Sequence, residues 1–226
     1  MRPLIIMNGE KIDWFHTVIR MLMYLAGVAV LALGMSLQTA SGLGVAALTC
    51  FATTLSMLTG KTLGFWITAT YVAYIVAQFT ILRREFQPRI LLELCFSTLI
   101  GGFTDFFMAV NPLHPAALPI QVETMLLSLA VTAFGVSLVV NMGVVPNAPD
   151  GLVQVIAEKI KRRFGDVKVV FDCSHVAVSL VLSLVLMHNL GGFGVTTAIS
   201  ALFLGHVINI ANKLFAQRFI RAAFGK

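Results

Sequence analysis

The segment GMSLQTASG at residues 34–42 recurs as GVSLVVNMG at residues 135–143, an offset of 101 residues (135 − 34). In each copy, a Gly-x-Ser sequence near the end of an apolar stretch is followed by a further glycine. Internal duplication of apolar segments is typical of membrane transporters built from repeats. The repeated segment therefore predicts a duplicated membrane architecture.

Composition also indicates a membrane protein. Of the 226 residues, 58% are hydrophobic and only 12% are charged, and the mean hydropathy is +0.90. Soluble domains average about 25% charged residues. The net charge of +6 lies in short clusters between apolar runs, so it predicts membrane topology rather than nucleic-acid binding. The three cysteines form no CxxC pair and predict free thiols rather than a disulfide framework or a metal site.

Six stretches are long enough to cross about 30 Å of hydrocarbon as helices, which takes roughly 17 to 25 residues. They are residues 18–37, 63–82, 90–110, 122–140, 169–187 and 195–215. A shorter segment follows the first span of each triplet, at 45–58 and 148–164. The first is uncharged but has only 14 residues, and the second carries six charged residues in 17. Both are therefore predicted to be re-entrant or interfacial helices.

The positive charges predict the topology, because Lys and Arg collect in cytoplasmic loops. With six spans and a cytoplasmic N-terminus, only Lys61 of the 16 Lys and Arg residues lies outside. The alternative, in which both short segments also cross, places Arg83, Arg84 and Arg89 outside as well and makes the charged segment a span. Because three spans per repeat is an odd number, the second repeat begins on the side opposite to the first.

The predicted fold is an all-α polytopic membrane protein with six transmembrane helices. They form two inverted three-helix repeats, each with a short re-entrant or interfacial helix after its first span. Residues 1–226 form a single membrane domain, with repeat one at about 15–110 and repeat two at about 121–217. The expected location is a bacterial inner membrane, with both termini cytoplasmic.

Glycines mark the break between the first helix and the short helix of each repeat. Gly42, Gly44 and Gly143 are the predicted helix-break residues, because glycine adopts backbone angles that other residues resist. Unwound backbone at membrane depth is tolerated only where it is buried in protein or lines a watery cavity. The breaks, together with the neighbouring Asn141, are therefore candidate walls of a binding site, and two surface turns are the alternative.

The segment NAPDG at residues 147–151 is predicted to begin the second short helix. Asn147 occupies the N-cap position, Pro149 the first turn and Asp150 the capping-box position. The N-terminus of a helix favours anions. Asp150 either caps the helix or binds a cation or an ammonium group.

The third span of each repeat carries a stripe at four-residue spacing, with an offset of 104 between the copies. The stripes are Ser97, Gly101 and Asp105, and Ala201, Gly205 and Asn209. Small residues at this spacing favour packing between helices, here between the repeats. A carboxylate in an apolar span is costly, so Asp105 is a candidate for a solute pathway or proton relay, with a buried partner as the alternative. His206, beside Gly205, belongs to the same candidate pathway.

Asp172 and His175 are i, i+3 neighbours on the fifth span. They form a candidate proton-coupling pair, because histidine titrates near neutral pH. Lys168, one turn before Asp172, offers a structural salt bridge instead. On the third span, Glu93 is predicted to lie near the cytoplasmic interface, paired with Arg89.

Three motifs resemble the YitT/YczE group of bacterial integral membrane proteins. They are GLGVAALT at 42–49, GVVPNAPDGL at 143–152 and GGFGVTTAISALFLGHVIN at 191–209. The resemblance covers nearly the whole chain and implies a role in transport or export. In the first repeat, Ala46, Ala47 and Thr49 stand where members often carry a proline and an aspartate. The polar chemistry is therefore expected in the second repeat.

The leading functional hypothesis is a secondary transporter that moves a small polar or charged solute by alternating access, with protons coupled through Asp172 or His175. Its candidate site residues are Asp105, Asn141, Asn147, Asp150, Asp172, His175, His206 and Asn209. The alternative is a non-transporting membrane partner or substrate-binding subunit that acts with another protein, and a homo-oligomer fits either hypothesis.

Other functional classes have little support in the sequence. No GxxxxGK[ST], HExxH or GxSxG motif is present, so the sequence predicts neither an enzyme nor a bound cofactor or metal. Channels also use re-entrant helices, but no ring of charge predicts a channel filter. The expected partners are therefore the lipid bilayer and a small-molecule or ion substrate, and not nucleic acid.

Overall fold

The computed structural model describes residues 14–83, 88–113, 115–145, 147–162, 164–188 and 192–224, and this part of the chain is all-helical. Its helices are α1 (Trp14–Ala40), α2 (Ala47–Thr59), α3 (Leu63–Leu82), α4 (Leu92–Val110), α5 (Leu118–Met142), α6 (Ala148–Ile160), α7 (Phe164–Leu182) and α8 (Val195–Phe224). A 3-10 turn, Pro88–Leu91, precedes α4, and a π-helical turn, Ser183–Met187, follows α7. Residues 1–13 and 225–226, which hold the termini predicted to be cytoplasmic, lie outside the described residues, as does Arg84.

Six of the helices are long and apolar enough to cross a membrane, which confirms the predicted number of spans. The exceptions are α2 and α6, with 13 residues each. At about 1.5 Å per residue they extend for roughly 20 Å, which is too short for about 30 Å of hydrocarbon. The described chain is therefore that of a multi-pass membrane protein with six candidate spans and two short helices.

Helices α1 and α5 form the centre of the bundle and pack against each other more extensively than any other described pair. Gly34 lies against Thr132, and Leu31 lies against Gly135, so the two helices run antiparallel. Backbone approaches backbone at this crossing. A methyl group on Gly34 would lie 2.8 Å from the amide nitrogen of Thr132, and one on Gly135 would lie 2.6 Å from that of Leu31. Only glycine fits at either position.

Hydrogen bonds between helices recur at the offset of 101. At the end of α4, Asn111 Nδ2 donates to Ser36 Oγ at 3.2 Å, and on α5 Ser137 Oγ donates to Asn212 Oδ1 at 2.6 Å. The starts of α2 and α6 are also 101 residues apart (148 − 47). The third spans are predicted at an offset of 104, whereas the two bonded asparagines are 101 residues apart (212 − 111).

Helix α8 packs differently from α4, which is its predicted counterpart in the first repeat. Helix α4 lies close against α3, where a methyl group on Gly101 would lie 2.6 Å from the carbonyl oxygen of Gly64. The residue 101 positions later is Leu202, which is exposed, and α7 and α8 make no comparably extensive contact in the described chain. The predicted packing stripe on α8 is wrong, because nothing lies within 4 Å of a methyl group placed on Gly205.

Candidate functional site

The start of α6 is buried among other helices. Helix α5 ends at Gly143, whose φ of 55° lies in the left-handed region, and α6 begins at the fully buried Ala148. Asn147 is the N-cap residue, but its side chain makes no capping hydrogen bond. Its backbone carbonyl accepts from Gly151 N at 2.9 Å, whereas its side-chain oxygen is buried without a hydrogen-bond partner. An uncapped helix start and an unsatisfied amide oxygen thus lie together.

An ion cluster joins this helix start to α7. Lys168 Nζ lies 3.0 Å from Asp150 Oδ1 and 3.0 Å from Asp172 Oδ1, and all three side chains are partly buried. The Lys168–Asp172 salt bridge expected from their spacing is present, and Asp150 joins it from α6. Two carboxylates around one ammonium group leave one negative charge uncompensated, which is costly in a protein interior.

Two tyrosines of α3 face this cluster. The hydroxyl of Tyr71, a residue only 3% exposed, faces the side chain of Asn147 but forms no hydrogen bond of good geometry. One turn later, Tyr74 Oη lies 2.5 Å from His175 Nε2, and His175 Nδ1 lies 2.8 Å from the carbonyl oxygen of Phe171. A carbonyl oxygen only accepts, so Nδ1 carries a proton and donates it to Phe171.

A buried carboxyl group that the sequence did not single out lies behind α6. Glu93 is 1% exposed, and Gln78 Nε2 donates to its Oε2 at 2.7 Å. The predicted partner was Arg89, whose side chain lies outside the described residues. The signal in the sequence was that Gln78 and Glu93 are polar residues within two candidate spans. Their contact depends on the packing of α3 against α4, which the sequence alone does not show.

The start of α2 is the counterpart of the start of α6, but its surroundings are uncharged. Ala47 N donates to Ser200 Oγ at 3.3 Å, and Thr196 N donates to the carbonyl oxygen of Leu43 at 2.9 Å. The predicted helix-break residues Gly42 and Gly44 have φ values of 71° and 109°. The beginning of α8 thus covers the start of α2, whereas the start of α6 meets charged side chains.

The other predicted site residues lie elsewhere. Asp105 Oδ1 accepts from Gly64 N at 2.7 Å, in the first turn of α3, at the end of that helix opposite to Gln78. Asn141 Nδ2 donates to Asn212 Oδ1 at 2.9 Å in the contact of α5 with α8. His206 and Asn209 are exposed on α8. The structure therefore brings together Asn147, Asp150, Asp172 and His175, and not the remaining four.

Two cavities lie near the helix breaks. One of about 110 Å³ adjoins His175 and is also lined by Phe51, Ser174 and Val178. A larger one of about 360 Å³ lies between the ends of α1 and α4, where Thr39 and Asn111 contribute polar groups and no charged side chain contributes. Among the described residues, no group of three or more His, Cys, Asp or Glu side chains is placed to hold a metal ion.

A sequence profile for a family of unknown function matches residues 18–213, which is most of the chain. No curated protein and no solved structure shows significant similarity to the chain. The chemistry of the site therefore has to be inferred from its own residues.

Proposed function

The chain belongs to DUF6198, a family of unknown function, and we propose that it is a secondary transporter that moves a small polar or charged solute by alternating access. The observation that carries this proposal is the Asp150–Lys168–Asp172 ion cluster at the start of α6. Charged groups inside a membrane bundle mark solute and ion pathways. Short helices that begin inside the bundle are a recurring way to build such sites.

The contact between α1 and α5 supports an inverted arrangement of the two repeats. At the offset of 101, Gly34 corresponds to Gly135, and Leu31 corresponds to Thr132. The contact of Gly34 with Thr132 is therefore repeated by the contact of Gly135 with Leu31. A contact in which each side repeats the other is isologous and implies a two-fold axis. Because α1 and α5 are antiparallel, that axis is perpendicular to both helices. For helices that cross the bilayer, such an axis lies in the membrane plane and inverts one repeat relative to the other.

A second contact supports a position of the site close to this axis. Tyr74 and His175 are 101 residues apart (175 − 74) and touch each other. A residue that touches its own equivalent lies beside the two-fold axis. Asp172 of the ion cluster lies one turn before His175, and His175 also lines the cavity beside Phe51. We propose that rocking of the repeats exposes the cluster and this cavity in turn, with Tyr74 and His175 between them.

The charge of the cluster indicates the class of solute. Its uncompensated carboxylate favours a solute with an ammonium group, which would replace Lys168 beside Asp150 or Asp172. The buried hydroxyl of Tyr71 and the side-chain oxygen of Asn147, which form no well-aligned hydrogen bond with the described residues, supply further hydrogen bonds.

The proposed location is a bacterial inner membrane, with both termini and the end of α6 on the cytoplasmic side. Lys159, Lys161 and Arg162 at the end of α6 agree with that orientation, because cytoplasmic loops collect positive charge. Membership of the YitT/YczE group rests on the sequence motifs and stays a prediction.

Thermal-shift measurements on the detergent-purified chain test the site, because a ligand that binds only the folded state raises apparent stability. The probes are small amines, amino acids and carboxylates. We expect amine-bearing compounds to stabilise the wild type, by about 2.7 kcal/mol at 100 times Kd. Asp150→Asn and Asp172→Asn should abolish the shift, and uptake of the compound into proteoliposomes should fall with it.

Glu158→Gln is the matched control, because Glu158 is an exposed carboxylate on the same helix as Asp150. This variant should keep both the thermal shift and the uptake. The proposal is contradicted if the aspartate variants respond like wild type, or if no stabilising compound is taken up.

The exposed face of α8 favours a second candidate, a non-transporting membrane subunit. His206 and Asn209 are exposed within a candidate span, where polar side chains are costly against lipid. Contact with another membrane protein or a second copy of the chain covers them. A stoichiometric partner that co-purifies with the chain, together with no solute uptake by the chain alone, would favour this candidate.

A further inference from the structure

The carboxyl group of Glu93 lies where α3, α4 and α6 meet. Glu93 lies in the first turn of α4, and its Oε2 accepts from Gln78 Nε2 of α3 at 2.7 Å. On the other side, a methyl group on Gly151 of α6 would lie 2.7 Å from Glu93 Oε1. The start of α6 thus rests directly on this carboxyl group, which has no room for a water molecule on that side.

The groups that face Glu93 do not neutralise a negative charge. From α1 the phenol of Tyr24 approaches, and from α3 the neutral amide of Gln78. On α3, Tyr71 also lies close, with its ring stacked on that of Phe96 one turn from Glu93. From α6 the facing group is Asp150, which is itself a carboxylate.

The cations near this region bind other groups. Arg20 of α1 donates to the carbonyl oxygens of Met142 and Gly143 at 2.6 and 2.7 Å, at the end of α5. Lys168 of α7 lies in the ion cluster. Among the described side chains, no Lys or Arg forms an ion pair with Glu93.

We propose that Glu93 is a proton-binding site that holds the start of α6 against α3 and α4 while protonated and releases it on deprotonation. An ionised carboxylate without a partner is strongly destabilised in an apolar interior, and carboxyl groups buried in membrane spans mark proton pathways. Ionisation sets the charge of Glu93 against Asp150, so α6 has to move for water to reach Glu93. The site goes beyond the proposed transport, because it binds a proton whether or not a solute is present.

Glu93 suits proton binding better than the pair predicted from the sequence. Asp172 is paired with Lys168, and His175 is held between Tyr74 and a backbone carbonyl oxygen. Among the described side chains Glu93 has no ionic partner, and it is buried and contacts the short helix directly. In a transport cycle, this carboxyl group is where a coupling proton binds.

Hydrogen exchange of residues 148–160, measured by mass spectrometry on the full chain in nanodiscs over a pH series, tests the proposal. Once corrected for intrinsic exchange, the opening constant of α6 should rise about tenfold per pH unit, the linkage slope for one released proton. Infrared titration of the same sample should show a carboxylic acid band that disappears as α6 opens.

Substitutions of Glu93 distinguish a proton-binding role of this residue from a role in packing alone. Glu93→Gln, which mimics the protonated group, should lose the acid band and keep α6 closed across the series. Glu93→Asp retains an acid and should retain both signals, and Glu123→Gln, at an exposed carboxylate of α5, should behave like wild type. An unchanged pH slope in Glu93→Gln, or no acid band from Glu93 at any pH, overturns the proposal. Neither readout needs a solute, so failure of the transport proposal is detected separately.

Discussion

Leucine in place of Gly34 or Gly135 is expected to destabilise the protein by about 3 kcal/mol, at the upper end of overpacking effects. A side chain at Gly34 meets the hydroxyl of Thr132 and, at 2.8 Å, its backbone nitrogen, and a side chain at Gly135 meets the backbone nitrogen of Leu31 at 2.6 Å. These backbone atoms belong to the opposite helix. A change of rotamer cannot move them, so α1 and α5 have to separate. The measurement is the unfolding midpoint and the fraction of monodisperse protein after purification.

The two variants should be affected to a similar degree, because the positions are equivalent in the proposed two-fold contact. Gly102→Leu and Gly205→Leu are the controls, since nothing lies within 4 Å of a methyl group at either residue. We expect the controls to stay within about 0.5 kcal/mol of wild type. Equal stability of all four variants would contradict the close crossing of α1 and α5.

Lys168→Met is expected to cost about 2 to 3 kcal/mol, less than the loss of one member of a fully buried ion pair, because the side chains of the cluster are only partly buried. The substitution keeps the length of the side chain but leaves Asp150 and Asp172 facing each other without the ammonium group between them. Thermal or denaturant unfolding in detergent measures the loss. Lys213→Met, at an exposed lysine of α8, should have little effect.

A triple variant distinguishes lost charge balance from lost packing. Asp150→Asn and Asp172→Asn combined with Lys168→Met remove every charge of the cluster at nearly constant volume. We expect this variant to recover most of the stability lost in Lys168→Met, since neutral replacements of buried ion clusters are often tolerated. A triple variant as unstable as Lys168→Met alone would show that the charges are not the cause.

The spans and short helices were predictable because hydropathy and length are local properties. Residues 45–58 and 148–164 were identified as non-crossing segments, and the structure has Ala47–Thr59 and Ala148–Ile160. The Lys168–Asp172 contact was also predictable, because it joins neighbours on one helix. Asp150 joins the cluster through the packing of α6 on α7, which no spacing along the chain reveals.

The prediction of a packing stripe on α8 was wrong because the sequence does not show which face of a helix packs against the bundle. The stripe of Gly205 and Asn209 has the spacing of a packing face, but spacing does not say which side of α8 turns to the bundle. Leu202, 101 positions after Gly101, is exposed rather than packed between helices. The burial of Glu93 was not predictable from the spacing of residues, because it depends on α6 folding back over it.

Sided labelling of Lys61→Cys and Arg162→Cys, each in a background without Cys50, Cys95 and Cys173, tests the inverted arrangement most directly. The two residues are 101 positions apart (162 − 61), follow α2 and α6 respectively, and are exposed. In intact cells, an impermeant thiol reagent should label position 61 and spare position 162, and permeabilised cells should be labelled at both. Labelling of both positions from the same side would contradict the account.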